Sequence, residues 1–370
     1  MYSESDLEAA VAAGALSVQQ AASFRNFVAD RRHTPAVDEE HFRLLTGFND
    51  VFVGIAAVIL LVAVAWIGYS IGPNIDADGP SPTSGLLVAA TAWGLAEFFT
   101  RQRRMALPSI ILLLAFVGGV FGTAAFGTVI AVGEDNLESP QAAMLVFAGS
   151  AAIAAAAAWA HWRRFRVPIT IAAGIAALVA LVLGLVATGF AAPDMTEAQM
   201  AAMRRAMEVA ALILGVGVFL FAMRWDSSDP RRETRRSDVA FWLHLLAAPL
   251  IVHPIFSLLG LTEGTATPFE AAVVVLLYVV LGLAALAIDR RALLVSALAY
   301  VLYALNSLFE TYGVVELNVA LTALIIGSAL LLLSAFWSNA RRAVVRPLPE
   351  TLQARLPVLD RNAPAAAAAA

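Results

Sequence analysis

Two histidines and two prolines fall within one apolar segment of this sequence. Residues 239–260 contain His244, Pro249, His253 and Pro254. Histidine titrates near neutral pH and serves in proton relays, and a proline inside a helix frees backbone carbonyls that protein or water must satisfy. Many transporters build substrate sites from such broken helices near mid-bilayer. The pattern points to a polar pathway; the alternative is histidines that hold helices together beside purely structural kinks.

The spacing of His244 and His253 limits what the two side chains can do together. Nine residues separate them, which is about 13–14 Å along a helix and places them on opposite faces. They cannot share a haem, and a chain without cysteine has no thiolate metal site or thiol catalysis. We therefore expect no cofactor, no metal and no catalytic residues, and we favour a protein that is not an enzyme.

Other polar residues within or beside apolar segments are candidates for chemistry, because ionisable groups in a membrane are costly. Asn306 and Glu310 are four residues apart on one predicted helix face. They suggest a polar vestibule, with a helix-end cap in an aromatic belt as the alternative. His161, next to Trp162 and Arg163, is expected to anchor a helix at the interface.

Two acid–base neighbours are predicted to be interfacial ion pairs. Glu97 precedes Arg101 by four residues, the spacing that supports a helix. Asp289 directly precedes Arg290. A proton relay is the less favoured interpretation of both.

The elements that must position these residues are apolar helices. The chain is 60% hydrophobic and 14% charged, with a mean hydropathy of +0.79, too little charge to cover a water-soluble fold of this length. A bilayer core requires about 20 apolar residues per helix. We predict an all-α polytopic bundle of about ten spans, at residues 51–71, 84–100, 106–132, 141–162, 167–190, 206–224, 239–260, 269–288, 292–309 and 317–338.

Arginine placement predicts the orientation of the bundle. Thirteen arginines lie in four connectors, whereas the alternate connectors are acidic and hold only Arg204 and Arg205. Basic short loops stay in the cytoplasm. With ten crossings, both termini are then predicted to be cytoplasmic. The Gly118-x-x-x-Gly122 sequence in the third span indicates close helix packing.

Polar segments flank the predicted bundle, which spans 51–338. Residues 1–50 predict a cytoplasmic helical hairpin, with Gly14 ending one helix and Ser17 with Gln20 forming a capping box for the next. Residues 339–370 contain several prolines and a terminal alanine run, which predicts a disordered cytoplasmic tail.

The stretch Asp6-Leu7-Glu8-Ala9-Ala10-Val11-Ala12-Ala13-Gly14-Ala15-Leu16-Ser17, followed by Gln19-Gln20-Ala21, precedes the apolar spans. This arrangement resembles the bacterial membrane proteins of the DUF2157 kind, over about 40 residues specifically. The resemblance implies a multi-pass protein of the bacterial inner membrane. It carries no activity and no site residues.

Two functions from different classes agree with this sequence. The favoured one is a non-enzymatic envelope, assembly or scaffold protein in the lipid bilayer, with a cytoplasmic partner bound through residues 1–50. The alternative is a transporter or flippase in which the proline-containing seventh span lines the path. A net charge of −4 predicts no affinity for nucleic acid.

Overall fold

The computed structural model describes residues 4–32, 48–75, 79–133, 137–230, 232, 234–259, 268–291, 294, 298, 302 and 318–359. All regular structure within these residues is helical. The chain divides into two units, Met1–Leu44 and Leu45–Ala370.

The first unit contains two short helices, α1 (Glu4–Ala12) and α2 (Val18–Arg32). Gly14 lies between them with a left-handed φ of 72°, a conformation that glycine adopts without steric cost. The Ser17 amide donates to Gln20 Oε1 at 2.8 Å, and the Gln20 amide donates to Ser17 Oγ at 3.1 Å. The predicted turn and capping box are therefore confirmed.

The second unit consists of longer apolar helices followed by short ones. They are α3 (Phe48–Ile71), α4 (Pro82–Ala96), α5 (Ala106–Val132), α6 (Pro140–Phe165), α7 (Ile169–Phe190), α8 (Glu197–Ser227), α9 (Arg235–Leu258), α10 (Pro268–Ile288), α11 (Asn318–Ala335), α12 (Trp337–Val345) and α13 (Glu350–Gln353). A π-helical turn, Glu97–Gln102, continues α4.

Local sequence explains several helix starts. Proline occupies the first turn of α4 and of α6, where its missing N–H is not needed. Thr196 and Gln199 form a capping box at the start of α8. These residues define where α4, α6 and α8 begin, and therefore where the preceding connectors end.

Six helices of the described residues are long and apolar enough to cross a membrane, or seven if the bent pair near the C-terminal end is one span. The six are α3 and α5 to α9. The predicted count of ten is not confirmed. The helical part of the second predicted span is only 15 residues before the π-helical turn, and most of the ninth, 292–309, lies outside the described residues.

Successive helices pack as hairpins, α4 with α5, α6 with α7 and α8 with α9. Each of the four basic connectors contains one residue that is not glycine in the left-handed conformation; these are Arg104, Arg166, Arg232 and Asp289. Arg104, Arg166 and Asp289 lie directly after a helix, where a left-handed residue ends it in a tight turn, whereas Arg232 lies four residues beyond the cap of α8 at Ser228. Asp194, in the acidic connector between α7 and α8, is also left-handed, so this conformation is shared by connectors of both kinds.

Glycines allow the close approach of α4 to α5, but they are not the two glycines that the sequence predicted. A Cβ on Gly119 would lie 2.6 Å from the Gly85 carbonyl oxygen, so neither position has room for a side chain. Gly118 has no atom within 4 Å of such a Cβ, and Gly122 would meet only Phe126 of its own helix. The interpretation of Gly118 and Gly122 as the packing pair is therefore wrong, because the face of α5 that meets α4 is one residue further round.

The segment after α11 folds back onto the second unit. The chain bends by 75° between Leu324–Ala335 and α12, and Trp337, Arg341 and Val345 on one face of α12 are buried. The prediction of disorder from residue 339 is thus corrected over 339–359. Its proline and arginine content resembles that of a disordered tail, but Trp337 and Val345 recur on one helix face and bury together. Residues 360–370 lie outside the described residues.

Candidate functional site

A buried carboxylate at the end of α8 binds one guanidinium group and one imidazole ring. Asp226 Oδ2 lies 2.9 Å from His244 Nε2 on α9, and Arg290 Nη2 donates to Asp226 Oδ1 at 2.6 Å. Arg290 also donates to the Ser237 carbonyl at 3.1 Å, and its guanidinium lies 5.9 Å from the Phe241 ring centre. Asp226, His244 and Arg290 are 1%, 0% and 3% exposed, so the interaction takes place out of water.

A second buried carboxylate lies at the end of α10. Asp289 Oδ2 accepts from Arg232 Nη1 at 2.8 Å, and Asp289 Oδ1 accepts from Trp337 Nε1 at 2.8 Å. Arg341 Nε is 3.8 Å from the same Oδ1. Arg232 also donates to the carbonyls of Ile288 and Asp289, which satisfies the last carbonyls of α10.

The two carboxylates belong to one group because Asp289 and Arg290 are consecutive. We call the group the charge cluster; its members are Asp226, Arg232, His244, Asp289, Arg290, Trp337 and Arg341. The predicted Asp289–Arg290 interfacial pair is corrected, since each residue pairs with a distant partner and both are buried. The left-handed backbone at Asp289, φ 56°, accompanies this divergence.

The charge cluster also fastens the chain beyond α12. Arg341 donates to the carbonyls of Pro357 and Val358, and the Val358 amide donates to the Pro230 carbonyl at 3.2 Å. Residues 337–359 are therefore attached both to Asp289 and to the connector between α8 and α9. We call residues 337–359 the C-terminal strap.

This arrangement can hold the helix ends together. Removing charges from water is costly, and the attraction between partners offsets that cost only with good geometry and additional hydrogen bonds. Here three guanidinium groups face two carboxylates, and backbone carbonyls accept hydrogen bonds from several of the other guanidinium N–H groups. His244 Nδ1 is buried and has no hydrogen-bond partner among the described residues.

The four residues of α9 that the sequence singled out differ in exposure. His253 and Pro249 are exposed, whereas Pro254 and His244 are buried. His244 and His253 thus differ in environment, as their spacing requires. Asn306 and Glu310 lie outside the described residues.

Glu97, in the π-helical turn, contacts two arginines. Its Oε2 is 3.3 Å from Arg101 Nη1, the predicted neighbour. Arg164 at the end of α6 donates to both Glu97 oxygens, at 2.7 and 2.9 Å. The hydrogen bond from Arg164 is the main reason that the pKa of the Glu97 carboxyl lies below its ordinary value, with Arg101 adding to the effect and partial desolvation opposing it.

His161 is in the interior of the bundle, and its expected role as an interfacial anchor is corrected. It is 0% exposed, lies among the rings of Trp93, Phe116 and Phe165 at centroid distances of 4.6–6.0 Å, and has its Nδ1 3.3 Å from Thr170 Oγ1. Aromatic packing, which a sequence neighbourhood of Trp162 and Arg163 does not reveal, decides its place.

Three members of the cluster, His244, Asp289 and Arg290, are among the residues predicted from the sequence. Four are not: Asp226, Arg232, Trp337 and Arg341. One feature of the sequence does indicate a buried ion pair in this region. The connector at 224–236 is the most basic of the chain, yet it contains Asp226 and Asp229. Both acids are buried, and Asp229 accepts hydrogen bonds from the amide and hydroxyl of Thr234.

No known protein family, curated protein or solved structure matches this chain. Its class therefore follows from the helices themselves, which have the length and apolar character of membrane-spanning helices. The resemblance of residues 6–21 to DUF2157 proteins stays an expectation.

Proposed function

We propose that this chain is a non-enzymatic scaffold of a bacterial inner membrane that holds polar segments at the cytoplasmic face. The observation that supports this most directly is the charge cluster. It ties the ends of α8, α9 and α10 to the C-terminal strap through buried hydrogen bonds and ion pairs. A bundle end closed in this way suits a fixed support better than a moving gate.

The same proposal includes ten spans with both termini in the cytoplasm. Support comes from the arginine distribution, because basic short connectors stay in the cytoplasm. The DUF2157 resemblance favours the same compartment.

The proposed partner site is the hairpin formed by α1 and α2. Val18, Phe24 and Phe27 are 73%, 41% and 60% exposed there. Apolar side chains in contact with water on a polar hairpin favour association with another protein. The scaffold would then hold a cytoplasmic protein at the membrane through this hairpin.

Photo-crosslinking in cells tests the partner proposal. A photoreactive amino acid at Phe27 should give one adduct of discrete mass, while the same group at Gln19, an exposed polar position, should give much less. Equal, diffuse labelling at both positions, or none, would contradict a specific partner.

The second candidate is a transporter or flippase. It is favoured by one observation, the combination on α9 of Pro249, Pro254 and a buried His244 whose Nδ1 has no partner among the described residues. Reconstituted vesicles decide between the two functions. Scrambling of labelled phospholipid faster than in protein-free vesicles would replace the scaffold proposal with this one.

A further inference from the structure

The bases of the first two basic hairpins carry an excess of positive charge. The connector between α4 and α5 holds Arg101, Arg103 and Arg104, and the connector between α6 and α7 holds Arg163, Arg164 and Arg166. All six are exposed, and Glu97 is the one acid in these two fully described connectors. We call this set of six arginines the arginine surface.

The two connectors form one surface rather than two. Arg164 donates to both carboxylate oxygens of Glu97, and Arg101 binds the same carboxylate. Beneath them, the rings of Trp93 and Phe165 are 5.0 Å apart. Glu97 therefore joins the hairpins and neutralises a single charge, and it is the one carboxylate that pairs with these guanidinium groups within the described part of the chain.

Aromatic rings hold three of these guanidinium groups in place. Arg103 lies 5.3 Å from the Phe98 ring centre and Arg163 lies 5.2 Å from that of Trp159; Arg166 is similarly placed over Trp162 at 5.5 Å. Phe98 and Trp159 are 42% and 63% exposed. Exposed aromatic side chains at the ends of apolar helices belong at the level of lipid headgroups.

The π-helical turn contributes to this geometry. Arg103 follows Phe98 by five residues, and its amide donates to the Phe98 carbonyl at 3.0 Å. That i→i+5 bond is the π-helical pattern. It sets the arginine over the ring, which the 3.6-residue period of an α-helix would not do.

Two arginines in the second half of the chain are compensated by acids inside the protein. Arg232 and Arg290 are buried against Asp289 and Asp226, so those charges are satisfied inside the protein. In the described residues, no buried acid pairs with the arginine surface. Its charge is directed outward, at the edge where the apolar helices end.

We propose that the arginine surface binds the headgroups of anionic phospholipids in the adjacent leaflet. Guanidinium groups bind phosphate oxygens through paired hydrogen bonds, and the neighbouring aromatic rings provide contact for glycerol and the first acyl carbons. A soluble anion would use the charge but not the rings. This proposal rests on membrane location and does not depend on the scaffold function.

Native mass spectrometry of the full chain in detergent tests it, with equimolar phosphatidylglycerol and phosphatidylcholine supplied. The site variant is Arg103→Gln with Arg163→Gln, which leaves the left-handed positions unchanged. The charge-matched control is Arg235→Gln with Arg236→Gln, both exposed. An arginine near an anionic surface contributes about a fivefold change in binding. We expect the site variant to lower the enrichment of phosphatidylglycerol at least about fivefold and the control to leave it within about twofold.

Glu97→Gln tests the proposal in the opposite direction. It releases Arg101 and Arg164, and should raise phosphatidylglycerol enrichment by up to about fivefold. Equal losses in the site variant and the control would overturn the proposal in favour of general electrostatics. Displacement of bound phosphatidylglycerol by millimolar glycerol phosphate would overturn it in favour of a site for soluble anions.

Discussion

Asp289 and Arg290 are adjacent in the chain, yet their side chains pair with groups 57 and 64 residues away, Arg232 and Asp226 respectively. Two consecutive residues at the end of α10 thereby connect to the end of α8 and to the following connector. Both pairs are buried, so each partner depends on the other for compensation of its charge. This dependence makes single substitutions in the charge cluster costly.

Asp226→Asn keeps the volume of the side chain and removes its charge. Arg290 is then buried without its carboxylate, and breaking such a pair costs about 3–5 kcal/mol. Thermal unfolding of the purified protein in detergent measures the loss. Glu350→Gln, which neutralises an exposed acid, is the matched control and should leave the unfolding temperature unchanged. Similar small shifts for both variants would show that the pair contributes little.

Arg290→Gln combined with Asp226→Asn should be less destabilising than the sum of the two single changes. Removing both partners leaves no uncompensated charge, and residues in direct contact show coupling of about 0.5–3 kcal/mol. A double-mutant cycle on unfolding free energies measures this term. Strict additivity would mean that the 2.6 Å contact does not couple the two residues.

Trp337→Phe retains a ring in the buried position and removes the N–H that Asp289 accepts. A hydrogen bond to a charged group contributes about 1.5–3 kcal/mol. The C-terminal strap should therefore open more often, and trypsin should cleave after Arg342 and Arg355 about tenfold faster when cleavage follows the open population. Phe336→Leu, at an exposed neighbouring position, is the control. Unchanged cleavage in Trp337→Phe would argue against the strap's attachment through Asp289.

Acidification tests the Glu97–Arg164 contact. Since the pKa of Glu97 is lower in the folded state than its ordinary value of 4.5, the contact stabilises fully above about pH 4.5, and this contribution is lost as the pH falls through the folded-state pKa. The unfolding temperatures of the wild type and Glu97→Gln should differ by a small, constant amount from pH 7 to pH 5.5. The difference should then shrink below pH 4.5. A gap that widens on acidification would contradict the assignment.

Single cysteines at Asp194 and Ser228 report the orientation of α8. The helix has 31 residues, about 46 Å at 1.5 Å per residue, which exceeds the roughly 30 Å of a bilayer core. The chain has no native cysteine to interfere. An impermeant maleimide added to intact cells should label the cysteine at 194 and spare the one at 228. The reverse result would invert the proposed topology.

Features set by neighbouring residues could be predicted from the sequence. The Gly14 turn, the Ser17–Gln20 capping box and the boundaries of α5 at 106 and 132 depend on a few adjacent positions or on a continuous apolar run, and the structure contains them. Glu97 and Arg101 are of the same kind, because a single helical turn brings them together.

Features set by distant residues could not be predicted in this way. Nothing near Asp226 indicates that Arg290 is its partner, and an Arg-rich connector gives the impression of a solvated loop. His161 has a polar, basic neighbourhood in sequence and an aromatic one in space. The rotation of a helix about its axis cannot be predicted from the sequence either, because a shift of one residue decides whether Gly118 or Gly119 meets α4.

The attachment of the C-terminal strap has a consequence for biosynthesis. Trp337 and Arg341 leave the ribosome after every other member of the charge cluster, so Asp289 waits for its last two partners until the strap has been made. A chain that stops before Trp337 retains the Asp226, His244 and Arg290 contacts but leaves Asp289 with Arg232 as its one remaining side-chain partner among those described here. The Asp289 half of the cluster is therefore completed only when synthesis has passed the strap, whereas the Asp226 half is complete once α10 has been made.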